Sequence, residues 1–194
     1  MNRALLEHFE KHFVLDVPTA EKLGVSRATL AYLAKSGALQ RLSHGVYALA
    51  SEVADELVAV AARSPWIVFS HETALALHRL HNRIPDVPSI TLPEGKRVPH
   101  SIEKSVTVHH ARNGFYDLGL TAVKSFPGHA VPCYDAERTI CDVIRSYSRI
   151  DEETYVGALR NYAKWPERNP SRLFGYAQTM GIEDKVHRAM EALL

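Results

Sequence analysis

Apolar residues recur at helical spacing from the start of the chain. Leu5, Leu6, Phe9 and Phe13 mark one face of a first helix, which the pattern ends near Phe13 before Val17-Pro18-Thr19 interrupts it. Thr19 suits the N-cap of a short second helix carrying Ala20 and Leu23, and Gly24 stands where a helix end needs a left-handed residue. Ser26 then caps a third helix. Val25 and Leu30 can close over its first turn, Leu30, Leu33 and Ala34 share one face, and Gly37 stops it. Residues 39–42 and 45–49 are short apolar-rich stretches joined by Ser43-His44-Gly45, which favours a hairpin. Helix, short helix, glycine turn, capped helix and hairpin is the order of a winged helix-turn-helix, whose third helix enters the major groove.

Residues 51–64 read as an amphipathic linking helix with Val53, Leu57, Val58 and Ala61 inward, closed by Ser64-Pro65. Beyond it the pattern predicts a short run at 67–69, a helix over about 72–80, and strands at 89–92, 105–109, 122–126 and 130–134. Helices follow over 135–147, 152–163, 170–180 and 183–194, with Asp135 and Asn169 as N-caps, Pro170 in a first turn and Gly181 as a stop. No internal repeat or Gly/Ser linker interrupts this order. The expected fold is α+β: a winged helix-turn-helix DNA-binding domain over 1–50, the linking helix over 51–64, and a mixed α/β domain over 65–194.

Composition changes this picture in one place. Of 194 residues, 46% are apolar and 23% charged, the proportions of a folded globular protein, and the formal net charge is only +1. The charge is unevenly placed, however. Between Lys22 and Tyr47 stand Lys22, Arg27, Lys35, Arg41 and His44, with no Asp or Glu, so a basic face hides inside a balanced total. Cys133 and Cys141 alone can build neither a disulfide scaffold nor a four-thiolate zinc site. The longest apolar run, 57–62, is far too short to span a bilayer, and residues 1–15 are charged throughout. These features predict a cytoplasmic protein with neither membrane span nor signal peptide.

The candidate chemistry is therefore DNA recognition. On the third helix Ala28, Ala31, Tyr32 and Lys35 point away from the apolar face, and Arg27 sits at its start. Small residues let a helix approach base edges, Arg27 can reach guanine or phosphate, Ser26 and Thr29 can donate to phosphate, and Tyr32 can do either. Arg41 and His44 on the hairpin would meet the flanking backbone. The plainer alternative is a solvated basic surface, or a wing used for protein contact.

Other candidates fit their chemistry poorly. Among eleven histidines, His71-Glu72 is followed by His78 at the wrong spacing for a zinc protease, and His109-His110 point to opposite sides of a strand. No metal site or cofactor is expected. Asp86 with Glu94 and Lys96 resembles the acid, acid and lysine set of magnesium-dependent nucleases, which makes a DNA-targeted nuclease the alternative function. The spacing is short, and Glu94-Gly95-Lys96 reads as a turn. The segment Tyr134-Asp135-Ala136-Glu137-Arg138-Thr139-Ile140-Cys141-Asp142-Val143-Ile144 opens a helix with a cap, an acid at the positive dipole end, and an Arg138/Asp142 pair.

Taken together, Leu23-Gly24-Val25-Ser26, the helix to Gly37, the stretch from Arg41 to Tyr47, Ser70-His71-Glu72-Thr73-Ala74-Leu75 and the Tyr134 to Ile144 helix resemble the AbiE-type abortive-infection antitoxins. This resemblance implies a type IV toxin-antitoxin member and viral-defence transcriptional regulator. Its N-terminal winged helix would repress its own promoter at repeated half-sites, with contacts from Arg27, Thr29, Tyr32 and Lys35 and from Arg41 and His44 on the wing. It further implies that the C-terminal α+β domain neutralises a nucleotidyltransferase toxin, without catalysis, cofactor or membrane.

Overall fold

A computed structural model describes residues 3–51, 55–112 and 114–191. The chain divides into two compact units, Met1–Pro65 with Ser125–His129, and Trp66–Lys124 with Ala130–Leu194. The mixed α+β architecture expected from the pattern is present, and no described helix is long and apolar enough to cross a membrane.

The first unit holds α1 (Arg3–Phe9), β1 (Leu15–Asp16), α2 (Val17–Lys22), α3 (Arg27–Lys35), β2 (Leu39–Ser43), β3 (Val46–Leu49) and α4 (Glu56–Ala61). Leu5, Phe9, Leu15, Ala20, Val25, Leu30, Leu39 and Tyr47 form one core, so every element from α1 to β3 contributes to it. Regular helix stops at Phe9 rather than Phe13. Glu10, Lys11 and His12 continue it only as an irregular turn, and Phe13 instead stacks on His129 at 3.8 Å. The cap of α2 is Asp16, not Thr19: its carboxylate accepts the Thr19 N–H at 2.8 Å, and Pro18 occupies the first turn where its missing N–H costs nothing. Ser26 caps α3 as its position suggests, accepting the Thr29 N–H at 3.1 Å.

The wing is a three-stranded antiparallel sheet in the order β1-β3-β2, with a bulge between Arg41 and Ser43. Gly45 turns the hairpin at φ 75°. The two-residue β1 carries no periodicity of its own and pairs through Leu15 with Tyr47. Of the linking helix, Val53 lies outside the described residues. Regular helix runs from Glu56, with Asp55 as its buried cap, accepting the Leu57 and Val58 N–H groups at 3.1 and 3.2 Å. Leu57 and Val58 face the interior, while Ala61 is half-buried beside the buried Val60. The second Asp55 oxygen accepts from Ser125 Oγ and from His129 Nδ1, the latter at 2.9 Å.

The second unit carries a mixed sheet in the order β6-β5-β4-β8-β7, built from β4 (Val68–Phe69), β5 (Ser89–Pro93), β6 (Thr107–Ala111), β7 (Leu120–Lys124) and β8 (Ala130–Tyr134). β4/β8 and β5/β6 are parallel, and β4/β5 and β7/β8 antiparallel. β6 starts two residues later than its pattern suggests, because His100–Ser105 closes into a 3-10 turn first. β7 lies earlier than 122–126, because Ser125 leaves the strand for a turn in which it donates to His129 O at 2.7 Å. Helix α5 (His71–Leu77) follows β4, and α6 (Ala136–Arg145), α7 (Glu152–Lys164), α8 (Pro170–Met180) and α9 (Glu183–Glu191) pack together around Ile140, Val143, Leu159, Leu173 and Val186. The last part of the expected 183–194 helix, 192–194, lies outside the described residues.

Helix α6 departs most from a simple amphipathic reading. Ile140, Val143 and Ile144 are buried as the pattern requires, but so are Glu137, Arg138 and Asp142. Arg138 is paired there through Nε with Asp142 Oδ2 at 3.0 Å and through Nη1 with the Leu118 carbonyl at 2.8 Å and the Phe115 carbonyl. Its Nη2 has no hydrogen-bond partner among the described residues, and its guanidinium lies 4.3 Å from the Tyr134 ring centre. Glu137 accepts the Asn169 N–H at 2.8 Å and the Tyr162 hydroxyl at 3.2 Å, which ties α6 to the start of α8. Burial pushes the Asp142 carboxyl upward against the opposing pull of Arg138 and Arg145.

Candidate nucleic-acid interface

The exposed side of the first unit is built on α3. Its Leu30 is buried and Leu33 and Ala34 half-buried, so the 100° step of the helix turns Arg27, Ala28, Ala31, Tyr32 and Lys35 outward. All five are exposed, and Tyr32 is 69% exposed, which for a large ring is uncommon without a partner surface. At the helix start the Ser26 and Thr29 hydroxyls lie 2.9 Å apart. They flank backbone N–H groups at the positive dipole end, which suits a phosphate oxygen.

The wing presents Arg41 and His44. Arg41 Nε donates to the Ser43 carbonyl at 3.2 Å, across the bulge, and its Nη2 lies 3.0 Å from His44 Nδ1. The turn therefore pre-orders both side chains at the hairpin tip instead of leaving them as free rotors. Helix α3 packs on β2, so the two presenting elements belong to one compact unit.

One partner escaped the charge count. Arg27 Nε lies 3.2 Å from Glu21 Oε1, an exposed pair, and Glu21 stands just before the acid-free window that begins at Lys22. The signal was the adjacent residue itself, since the Gly24 turn folds α2 back against the start of α3. The geometry is that of a winged helix-turn-helix with an outward basic and aromatic face.

Residues 3–50 match the family described as transcriptional regulator, AbiEi antitoxin. This AbiEi-type match spans the whole helix-turn-helix and wing, from α1 to the end of β3, and does not extend to Ser70–Leu75 or the Tyr134 to Ile144 helix. No curated protein matches the chain. Among solved structures the fold is similar to the crystal structure of the RV2827C protein from Mycobacterium tuberculosis, with a TM-score of 0.62 and 16% sequence identity over 99% of this chain and 79% of that one. At that identity the likeness speaks for the fold alone.

The remaining candidates are not assembled. Asp86 precedes β5 and Glu94 follows it, so the length of a five-residue strand, about 16 Å at ~3.3 Å per residue, stands between carboxylates that would have to share one metal. Lys96 Nζ sits 4.8 Å from the Trp66 ring centre. Among the described residues no three His, Cys, Asp or Glu side chains are grouped to hold a metal ion. His71 and His109 do meet, stacked at 3.5 Å, which neither local spacing suggested. His71 Nδ1 lies 3.0 Å from Ser70 Oγ and its Nε2 3.1 Å from Ser146 Oγ.

Proposed function

We propose that this protein is a DNA-binding antitoxin that represses its own promoter and neutralises a nucleotidyltransferase toxin. In this reading 1–50 is the DNA-binding domain, 51–64 the link and 65–194 the antitoxin domain of a cytoplasmic protein. The observation that carries it is the outward face of α3 on a unit matching an antitoxin-type regulator family. Arg27, Tyr32 and Lys35 meet the major groove there, Ser26 and Thr29 the phosphates at the helix start, and Arg41 and His44 the backbone beside the wing. Repeated half-sites would let copies of the protein bind side by side.

Fluorescence anisotropy with the protein's own upstream DNA tests this. Wild type should prefer that DNA to random duplex and lose affinity steeply with salt. Arg27→Ala/Lys35→Ala should remove the preference and make the slope of log K against log salt shallower, by at most about 1.8, since ~0.9 is lost for each of the two cations that also neutralises a phosphate. Equal affinity for both duplexes, unchanged in the double variant, would show that α3 is not the reading helix. Rescue of cells from the paired toxin by the same double variant, and loss of rescue on removing 65–194, would separate the two activities.

A further inference from the structure

The helical layer of the second unit contains a cavity of about 1020 Å3, at the upper end of the size of small-ligand sites. It is formed by α7 and α9 with the end of α6 and the 3-10 turn that follows. Its charged wall is entirely cationic: Arg145, Arg160, Lys164, Lys185 and Arg188, with no carboxylate among the lining residues. Arg160 and Lys164 stand one turn apart on α7, and Lys185 and Arg188 one turn apart on α9. Arg145 is held by Asp142 at 3.0 Å, and Arg188 Nε donates to the Asp184 carbonyl of its own helix at 3.1 Å. Arg160, Lys164 and Lys185 have no ion-pair partner among the described residues. Arg160, Lys164, Lys185 and Arg188 are exposed, so water and salt screen much of their mutual repulsion, and an anion among them would relieve the remainder.

The rest of the lining is apolar and aromatic. Ile144, Val156 and Leu159 supply the apolar surface, and Tyr147 and Tyr155 meet edge to face at 4.7 Å with Tyr147 55% exposed. Tyr155 lies in the first turn of α7, whereas Arg160 and Lys164 lie about 8 and 14 Å further along its axis at ~1.5 Å per residue. Along α7 the lining thus passes from the aromatic Tyr155 to the cationic Arg160 and Lys164, while Arg145 adds a cation beside Tyr147. An acidic side chain would use the cations without the rings, and an apolar one the rings without the cations.

We propose that this cavity binds a nucleoside di- or triphosphate, with the base against Tyr147 and Tyr155 and the phosphates among Arg160, Lys164, Lys185 and Arg188. Stacking and charge-assisted hydrogen bonds would each supply part of the affinity. This proposal does not depend on the DNA-binding reading, since no residue of the first unit takes part.

Titration calorimetry on the full-length protein, without divalent cations, tests it with ATP, adenosine, inorganic tripolyphosphate and a poly-glutamate peptide. ATP should saturate one site below about 1 mM, with adenosine and tripolyphosphate each weaker by about tenfold or more. Arg160→Gln/Lys164→Gln should weaken ATP by about tenfold or more while leaving the unfolding temperature unchanged. Tyr147→Ala should bring ATP down to the level of tripolyphosphate. The proposal is overturned by absence of saturation, by tripolyphosphate binding as tightly as ATP, or by ATP binding indifferent to the double variant. Tight binding of poly-glutamate without ATP binding would assign the cavity to an acidic protein segment instead. Loss of DNA affinity in the double variant without ATP binding would assign it to nucleic acid.

Discussion

Arg27 at the start of α3 and Arg138 in the first turn of α6 are the same residue type near the same position of a capped helix, and the fold uses them in opposite ways. The Arg27 side chain is 78% exposed and holds one acid loosely, whereas Arg138 is 0% exposed and holds a carboxylate, two carbonyls and a tyrosine ring. An exposed pair contributes little to stability because water and salt screen it, which leaves Arg27 free to change partners. A buried charge cannot change partners without losing its compensation, so Arg138 is fixed by what surrounds it. The fold therefore leaves Arg27 able to exchange partners at the surface and locks Arg138 into the architecture of the second unit.

The sharpest way to break this contrast is Arg138→Met. It leaves Asp142 buried with only Arg145 beside it and strips donors from the Phe115 and Leu118 carbonyls. We expect a loss of about 3 kcal/mol or more in chemical unfolding. Adding Asp142→Leu should recover part of it by removing the uncompensated carboxylate. A change under about 0.5 kcal/mol, the size of an ordinary surface substitution, would mean that the buried network does no structural task.

Gly119→Ala attacks the same network through the backbone. Gly119 has φ 75°, and an added Cβ would lie 2.6 Å from Arg138 Cβ. Left-handed strain and the clash together predict a loss of about 2–3 kcal/mol, read from the same unfolding curves. Gly24→Ala, also at φ 75° but with open space around it, should cost about 1 kcal/mol. Equal losses at both sites would show that the close approach to Arg138 is unimportant.

These contrasts mark how far the sequence could be read. Caps and stops that depend on neighbours were legible: Ser26, Asp135 and Asn169 cap their helices, and Gly24, Gly45 and Gly181 take left-handed backbone. Asp16 and Thr19 are both good cap residues three apart, and only the observed bond from Thr19 N to Asp16 decides between them. The outward face of α3 followed from its period, because nothing distant competes for it. The burial of Glu137, Arg138 and Asp142 could not follow from period, since their partners come from Phe115, Leu118, Tyr162 and Asn169. The cationic cavity was hidden similarly, because its lining comes from α6, α7, α9 and the turn after α6.

A third effect is set by pH. His71 is buried against His109 with Arg145, Arg138 and Arg149 nearby, and burial, then His109, then these cations hold its pKa well below 6.5. Burial, then Arg149 and Arg145, bring His109 down to about 4. Both rings are neutral in the folded protein, while the unfolded chain takes up protons near pH 6.5. Stability is therefore complete above about pH 6.5 and falls as the pH drops toward 4, where the His109 contribution levels off. With the solvent-facing side of His109 discounted, its share is on the order of 2 kcal/mol. Urea midpoints at pH 7 and pH 5 should differ accordingly, and His109→Gln should reduce the difference while the share of the buried His71 remains. The caps Asp16 and Asp151, whose pKa values are lowered by hydrogen bonds to Thr19 and Thr154, lose their stabilisation only at lower pH, below the usual carboxylate range.

The smallest effect concerns Glu21, which among the described residues is the acid paired with the basic face. In the free protein Glu21 engages Arg27 Nε at 3.2 Å, so a phosphate or guanine competes with it for the guanidinium. Glu21 also repels any phosphate that approaches α3. Glu21→Gln removes both penalties and keeps the side chain's length, so affinity for the upstream DNA should rise by roughly two- to fivefold, the range of an exposed pair. Because screening already weakens this pair, the gain should be largest at low salt and fade as salt rises. Stability should stay within about 0.5 kcal/mol of wild type, because both side chains are exposed. In the Arg27→Ala background the gain should shrink to the repulsion alone. Weaker DNA binding in Glu21→Gln, or a gain of the same size without Arg27, would place the DNA away from the start of α3.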